Sequence, residues 1–477
     1  MNAPLWTSDE IAAATGARIG AGFAQATGAS IDTRTLEPGD LYFAIKGDVH
    51  DGHDFVSAAL EKGASAAVVS EDKAPAFGAS DRLIVVPDVL EAMRQLGRAA
   101  RRRTSAKIVA ITGSVGKTGT KEAMRLALSR QGTTHASVAS YNNHWGVPLT
   151  LSRMPRDTEF GVFEIGMNHA HEILPLTGMV RPHVAVITTV EPVHIEFFPS
   201  LWGIADAKGE IFSGLEPGGT AVINRDNPYF ERMRAHAFAS AAGRVVTFGE
   251  HEAADIRARR IIVKPDHSIV DATVFGQPLT YRIGTAGRHN ALNSLSVLAA
   301  SHALGADLAL VALSFADMKP PVGRGERTML SIGEAEALLI DESYNANPAS
   351  MRAALANLGA VELGRGARRI AVLGDMKELG EKGPGLHREL AEAVEANRID
   401  LVFAAGPLMR NLVDALPKAK VADHAETSAE LVDAVLAALR PGDAVTVKGS
   451  LSMKMALVVK ALKERYGASP TAHALKG

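Results

Sequence analysis

The sequence predicts a three-domain α/β protein. It divides into a small α/β cap over residues 1–87, a central P-loop ATPase-type domain with a parallel sheet over 88–318, and a C-terminal Rossmann-like α/β domain over 319–477. Three observations predict this. At roughly 100–200 residues per domain, 477 residues make two to four units, each long enough to bury a core. From residue 107 onward, short β-branched runs alternate with helix-length segments, the pattern of parallel strands joined by crossover helices. MKPPVGRGER, with two prolines and two glycines, interrupts that pattern and reads as a linker.

In the cap, LYFAI, AAVV and LIVV are short strands set off by the turn signals EPGD and DGHD. VLEAMRQLGRAARRR follows as a helix whose basic end suits a helix C-terminus. KIVAIT opens the central block, GVFEI, HVAVIT, TAVIN and VVTFG continue it as strands, and the helix 288–304 closes it. Past the linker, ALLIDE, RIAVLGD, LVFAAG and AVTVKG alternate with helical stretches again.

Composition removes several function classes. Lys+Arg 51 against Asp+Glu 53 leaves a formal charge of −2, without the basic excess of a general nucleic-acid or acidic-membrane binder. Zero cysteines exclude disulfides, thiolate zinc, iron–sulfur clusters and a cysteine nucleophile. The N-terminus carries Asp9 and Glu10 with no basic region ahead of an apolar run, so it is not a secretory signal. No stretch reaches the ~18 apolar residues of a membrane span. The expectation is a cytoplasmic monomer without nucleic-acid partners.

The strongest local signal is KIVAITGSVGKTGTKEAMRLAL. A strand ends at Thr112, the turn Gly113, Ser114, Val115, Gly116 follows, and Lys117, Thr118 and Gly119 open a helix. Such a turn aims backbone N–H groups at phosphate oxygens, and the helix N-terminus adds partial positive charge. Lys117 would reach the β/γ-phosphates and Thr118 would ligate Mg²⁺. Ile111 stands where the usual P-loop motif has its first glycine.

Glu164 and His194 fall at or beyond C-terminal ends of predicted strands, the edge where open α/β sheets bind ligands. Together they could hold magnesium, although a lone strand-end His more often makes a structural hydrogen bond. Lys208 sits between Asp206 and Glu210 and reads locally as a solvated helix lysine. Asn290 is an adenine-reading amide or a helix-start polar residue. Arg324, on the linker, is a solvated charge or a group that closes over the γ-phosphate when domains move.

ITGSVGKT, YNNHWGVPLTL, EIGMNHAHEI, AKGEIFSGL, GRHNALN, IDESYNANPASM, VLGDMKELG and VKGSLSMKM, with IDTRTLEPGDLYFAIKGDVHDGHDF near the start, resemble the Mur ligase family across residues ~25–465. The resemblance implies ATP-driven amide formation through an acyl phosphate in peptidoglycan precursor synthesis, with Mg²⁺, a UDP-N-acetylmuramoyl-tripeptide and D-alanyl-D-alanine. It implies a catalytic set of Lys117, Lys208, His194 and Glu164. Lys208 would carry a CO₂-derived carbamate and share the metal with Thr118, Glu164 and His194. ATP contacts would come from residues 113–119, Asn290, Arg324, Asp341, Glu342 and Tyr344. The UDP end of the substrate would meet Ser30, Asp32, Arg34, Lys46, Asp51 and His53, though IDTR and DGHD also suit ordinary turns. Asn142 and Asn143 would line the peptide carboxylate's path, and Asn345, Asn347 and Ser350 the dipeptide pocket, unless the last three form a strand-to-helix turn with an N-cap. The chain departs from the family pattern at Glu342 (usually Asp), Leu451 (often Arg) and His171 (often Gly). Two alternatives stay open: a relative adding a different amino acid, and a P-loop NTPase switch or scaffold.

Overall fold

The structure, a computed structural model, describes residues 4–47, 49–78, 80–138, 140–193 and 195–467. Three main sheets carry the fold. The first has the spatial order Arg18–Ile19, Leu83–Val86, Ala66–Ser70, Asp40–Phe43, Gly28–Ser30, parallel except for the Arg18–Ile19 edge. A short ribbon of Trp6–Thr7 and Gln25–Ala26 lies beside it. Val68, Ile84 and Phe43 are fully buried in this small core.

Among the described residues the central sheet has nine strands. Lys107–Thr112 is flanked by Phe160–Glu164 on one side and Val184–Ile187 on the other. Thr134–Ala136 forms the near edge, and Gly219–Asn224 and Ala242–Gly249 extend the other side, all parallel. The strand order reverses at Lys107–Thr112, so the loop after it opens at a topological switch point. Ile256–Val263, Ser268–Val274 and Gln277–Ile283 then continue the sheet as an antiparallel meander. That extension is absent from the sequence reading. Its strands are half-exposed and charged, and IRARRIIV lacks the continuous apolar run of the buried parallel strands.

The third sheet runs Glu326–Ile332, Ala335–Glu342, Ala444–Lys448, Arg369–Gly374, Leu401–Ala405, Val421–Ala425, parallel after its first pair. All four strands expected past the linker are present. One apolar cluster runs from the central unit (Phe163, Ile187, Phe198) into this third unit (Met376, Leu379, Leu390), so the two share an apolar interface.

The helix Val89–Arg102 joins cap to centre. Asp88 caps it by accepting from Glu91 N at 2.8 Å, and Val89, Met93, Leu96 and Ala100 bury one stripe at helical spacing. Gly97 lets it approach closely, since a Cβ there would lie 3.2 Å from the Pro148 carbonyl oxygen. The basic end does more than complement its own helix. Arg101 is buried and donates to the Val180 and Arg181 carbonyls, capping the neighbouring helix Ile173–Val180. Trp6 Nε1 donates to the Ser152 carbonyl and Arg103 lies 3.7 Å over the Trp6 ring, which ties the cap's start to the central unit.

His171 adopts φ +68°, a left-handed conformation in which a side chain costs roughly 1–2 kcal/mol relative to glycine. Its exposed ring makes only a 3.4 Å contact with Glu210, while its backbone N–H holds Glu210 at 2.7 Å. Because the backbone bond survives substitution, His171→Gly is expected to raise stability by about 0.5 kcal/mol after glycine's unfolded-state entropy is deducted. Urea unfolding checks this, and a lower midpoint would mean the ring contact outweighs the strain.

Candidate active site

The loop 113–119 leaves the central sheet at its switch point and leads into the helix Lys117–Leu128. Gly113 and Gly116 both have positive φ and both are closely approached. A Cβ on Gly113 would strike Thr188 Oγ1, and one on Gly116 would lie 2.5 Å from Asn293 Nδ2. The loop is held from outside: Ser114 Oγ donates to the Glu191 carbonyl at 2.9 Å and accepts from Glu191 N, while Thr188 Oγ1 donates to the Val115 carbonyl at 2.6 Å. Lys117 Nζ folds back onto the Gly113 carbonyl at 2.6 Å and the Ser114 carbonyl at 3.3 Å. Desolvation pulls the Lys117 pKa down, Glu164 opposes that, and Arg324 adds to it. Gly119 is open to space, in the first turn of the helix.

Glu164 ends the strand beside this loop and is 1% exposed. Asn142 Nδ2 donates to Glu164 Oε1 at 2.7 Å, whereas Glu164 Oε2 has no hydrogen-bond partner. A buried carboxylate oxygen left without a donor is expensive and suits contact with a cation. Asn143 does other work, accepting from Gly146 N at 2.9 Å at the start of the next helix. His194 lies outside the described residues.

Lys208 overturns its local reading as a solvated ion pair. It is 2% exposed, and no hydrogen bond or ion pair joins its Nζ to another described residue. Asp206 is taken by Arg232 and His236, and Glu210 accepts from the His171 and Leu174 N–H groups. Burial, with the Lys117 charge adding, pushes the Lys208 pKa well below the ordinary lysine value. Among the described residues no three His, Cys, Asp or Glu gather as a metal site. The remaining donors, Thr118 Oγ1 and Glu164 Oε2, are the hard oxygens magnesium prefers.

The third sheet closes the other side. Arg324 Nη2 reaches Ser140 Oγ at 3.5 Å, and Ser140 Oγ is itself 3.5 Å from Thr118 Oγ1. The Arg324 guanidinium lies 4.3 Å over the Tyr344 ring. Asp341 is buried and accepts from Ser343 N, and its carbonyl accepts from Gly325 N, fixing the linker's end. Glu342 contacts Lys448, a residue the sequence reading did not single out. Asn293 was missed as well. Asn290, the amide chosen, donates to the Ala286 carbonyl at 2.8 Å, and Asn293 one turn later faces Gly116. The i+3 spacing of the two asparagines on one helix face was the available signal.

Asn347 and Ser350 form a reciprocal capping box on the helix Pro348–Gly359, so their polar groups are spent locally. Asn345 accepts from Ala346 N through its side chain and offers its carbonyl to Lys448. Beside them Lys377 pairs with Asp375 at 2.9 Å, and Lys377 N donates to Ser450 Oγ. Leu451 is exposed on the surface.

In the cap, Ser30 Oγ accepts from Asp32 N and donates to its carbonyl, and Asp32 forms a bidentate pair with exposed Arg34. Asp51 and His53 form a closed turn. Ser70 N donates to His53 Nε2, and His53 Nδ1 lies 2.6 Å from Asp51 Oδ1. Burial raises the Asp51 pKa, but the His53 backbone N–H and ring outweigh it and hold it at about 2. Lys46 bridges Asp51 through backbone only and its side chain is exposed.

Family models match in three consecutive pieces: "Mur ligase family, catalytic domain" over 25–101, "Mur ligase middle domain" over 111–301 and "Mur ligase, glutamate ligase domain" over 324–451. The Escherichia coli (strain K12) UDP-N-acetylmuramoyl-tripeptide–D-alanyl-D-alanine ligase is 34% identical, covering 91% of this chain and 93% of that protein. The chain belongs to the Mur ligase family. The corresponding ligase of Rickettsia prowazekii is 31% identical across 95% of this chain and 99% of its own length. Among solved Mur ligase structures, MurF from Acinetobacter baumannii superposes with a TM-score of 0.83 at 28% identity, covering 97% of this chain and 99% of that one. MurF from Thermotoga maritima in complex with ADP gives 0.75 at 25% identity, covering 92% and 98%.

Proposed function

We propose that the chain is the Mur ligase that joins D-alanyl-D-alanine to a UDP-N-acetylmuramoyl-tripeptide with cleavage of ATP to ADP and phosphate. The observation that carries the chemistry is Arg324 reaching across the domain seam to Ser140 beside the phosphate loop, opposite Lys117. The substrate assignment rests on relatives of that name matching over nearly the whole chain.

In this reading the tripeptide's terminal carboxylate attacks the γ-phosphorus, ADP leaves, and an acyl phosphate remains. The dipeptide amine then attacks the acyl carbon, loses a proton, and phosphate departs. The protein supplies no nucleophile. It brings two anions together, and Lys117 and Arg324 offset their repulsion. Thr118, Glu164, His194 and carbamylated Lys208 would hold Mg²⁺, which when bound neutralises phosphate charge as it develops. The apolar seam excludes water, to which an acyl phosphate is vulnerable. Lys377 is a partly exposed cation at the third sheet's C-terminal edge and is suited to the dipeptide carboxylate. The cap, through the exposed Asp32–Arg34 pair and Lys46, takes the UDP end. We place the domain borders near residues 87 and 318 and the enzyme in the cytoplasm as a monomer. Among the described residues no helix is long and apolar enough to cross a membrane.

Phosphate release with a panel of amines tests the assignment. D-alanyl-D-alanine should stimulate turnover in the presence of the UDP-tripeptide. Stimulation by a diamino acid instead, or nucleotide hydrolysis independent of the UDP substrate, would refute it.

The seam itself is testable. Gly380 has φ +53°, and a Cβ there would lie 3.0 Å from Glu196 Cβ across the interface. Gly380→Ala should lower stability by about 1 kcal/mol and loosen the seam. Small-angle scattering should report a larger radius of gyration, and kcat/KM should fall about tenfold; unchanged scattering and kinetics would show that the contact is slack.

A further inference from the structure

We propose that the cleft between the joining helix Val89–Arg102 and the end of the helix Ile173–Val180 binds a phosphate group, at a site separate from the phosphate loop. This goes beyond the ligase reading and does not depend on which amine the enzyme joins. The cleft has a volume of about 130 Å³ and is lined by Arg98, Arg101, Arg102, Gly178, Met179 and Arg181. That volume is a few water molecules' worth, which suits a tetrahedral oxyanion and is too small to enclose a nucleotide. Arg181 precedes the strand Val184–Ile187, so the cleft opens at the N-terminal edge of the central sheet. The phosphate loop leaves the opposite edge, past Thr112, and the length of the strand Lys107–Thr112 sets the two apart by roughly 15 Å.

The groups around these arginines do not account for them. Arg101, 6% exposed, spends Nε on the Val180 carbonyl and Nη2 on the Arg181 carbonyl, both at 2.8 Å, with Glu216 at 3.3 Å from Nη2. One guanidinium thus meets the negative end of the helix Ile173–Val180, and its Nη1 has no hydrogen bond among the described residues. Arg181 meets the same Glu216 at 2.8 Å. Arg98 reaches Glu91 at 2.8 Å in an exposed pair of little worth, and Glu91 is shared with Arg94. Exposed Arg102 has no hydrogen bond or ion pair among the described residues. Burial lowers the Arg101 pKa, Glu216 opposes that, and the Arg181 charge adds to the lowering, so these neighbours repel. A phosphate accepting from the forked N–H donors offsets the repulsion, and the guanidinium is the cation whose planar fork matches phosphate oxygens. Arg98, Arg101 and Arg102 belong to the helix that joins the cap, and Arg181 to the central unit, so the bound anion fastens one to the other.

Isothermal titration of inorganic phosphate into the full chain tests the site, with sodium chloride at equal ionic strength as the control. Magnesium and β,γ-methylene-ATP are kept saturating, so that the phosphate loop is filled. Wild type should take up one phosphate per chain, and its melting midpoint should rise by about 2–4 °C at about ten times the Kd. Arg102→Gln and Arg98→Gln should each weaken binding about tenfold, and Arg102→Glu should abolish it. Melting curves in chloride identify the folded variants; if Arg102→Glu does not fold, the two glutamine variants decide. Phosphatidylcholine vesicles with and without phosphatidic acid separate the sources of the phosphate. Sedimentation with the acidic vesicles that inorganic phosphate competes away and Arg102→Glu abolishes assigns the site to a lipid headgroup; phosphate binding without sedimentation assigns it to a soluble phosphate. No saturable binding by the wild type, unchanged binding in folded Arg102→Glu, or an equal rise in midpoint with chloride would each overturn the proposal. Failure of the wild type to ligate D-alanyl-D-alanine would instead sink the ligase reading and leave this site standing.

Discussion

Lys117→Ala is expected to reduce kcat/KM for ATP-driven ligation by about a thousandfold. Lys117 has a role only when an anion is present: its Nζ rests on the Gly113 and Ser114 carbonyls of its own loop, so no distant element depends on it. Two unit charges ~4 Å apart at an effective dielectric of ~20 interact by about 4 kcal/mol, and losing that from the transition state is roughly a factor of 10³. The fold should be untouched, because the loop is held by Ser114, Thr188 and the glycine conformations and not by the lysine. The measurement is UDP-peptide product formed per unit time beside a thermal melt. Full product formation by the variant would remove the phosphate-loop mechanism, and a large fall in melting temperature would recast Lys117 as structural.

Lys208→Met should separate stability from activity. The lysine is buried, its Nζ has no partner among the described residues, and its pKa is driven down by burial and by Lys117. A charge on a lysine so enclosed is a burden that methionine, of similar shape, does not carry. In metal-free buffer stripped of CO₂, the variant should be about 1–3 kcal/mol more stable near neutral pH. The sign of the pH dependence follows from linkage. The unfolded chain binds the lysine proton up to about pH 10.4 while the folded chain releases it earlier, so wild-type stability rises with pH over that window. The methionine advantage should therefore shrink toward pH 10. Turnover should fall by about three orders of magnitude, because neither a cation nor a carbamate can form at that position. Two further readouts address the modification. Wild type in ¹³C-bicarbonate should show a carbamate resonance that Lys208→Met lacks, and a short-chain carboxylate should partly revive Lys208→Ala. A variant that is both less stable and fully active would show that Lys208 is an ordinary core lysine.

The parts of the site legible in the sequence are those whose chemistry is local. The strand–glycine turn–helix unit around Lys117 depends on residues adjacent in the chain, and it folds where expected. The Asn347–Ser350 cap was foreseen as an alternative to a substrate contact for the same reason: a capping box is written within four residues. Glu164 was placed at a strand end by its pattern, but its orphaned oxygen is visible only when Asn142, 22 residues away, is seen to satisfy the other one. Lys208 misled locally because Asp206 and Glu210 flank it in sequence yet turn to Arg232, His236 and the helix start at 173. Lys448 carried no local signal, and Asn293 only its i+3 spacing from Asn290 on one helix face.

By itself the sequence determined the order of three α/β units, the strand–glycine turn–helix unit around Lys117, the linker that carries Arg324, and an activation chemistry free of cysteine. All of these follow from periodicity, turn chemistry and residue inventory, which act over a few residues. Tertiary structure alone decided which charges are paired and which are not. Burial and dielectric depend on what the rest of the chain brings alongside, and these make Lys208 a buried amine with a depressed pKa, Lys448 a brace for Glu342, and Arg324 a group of one domain aimed at the loop of another.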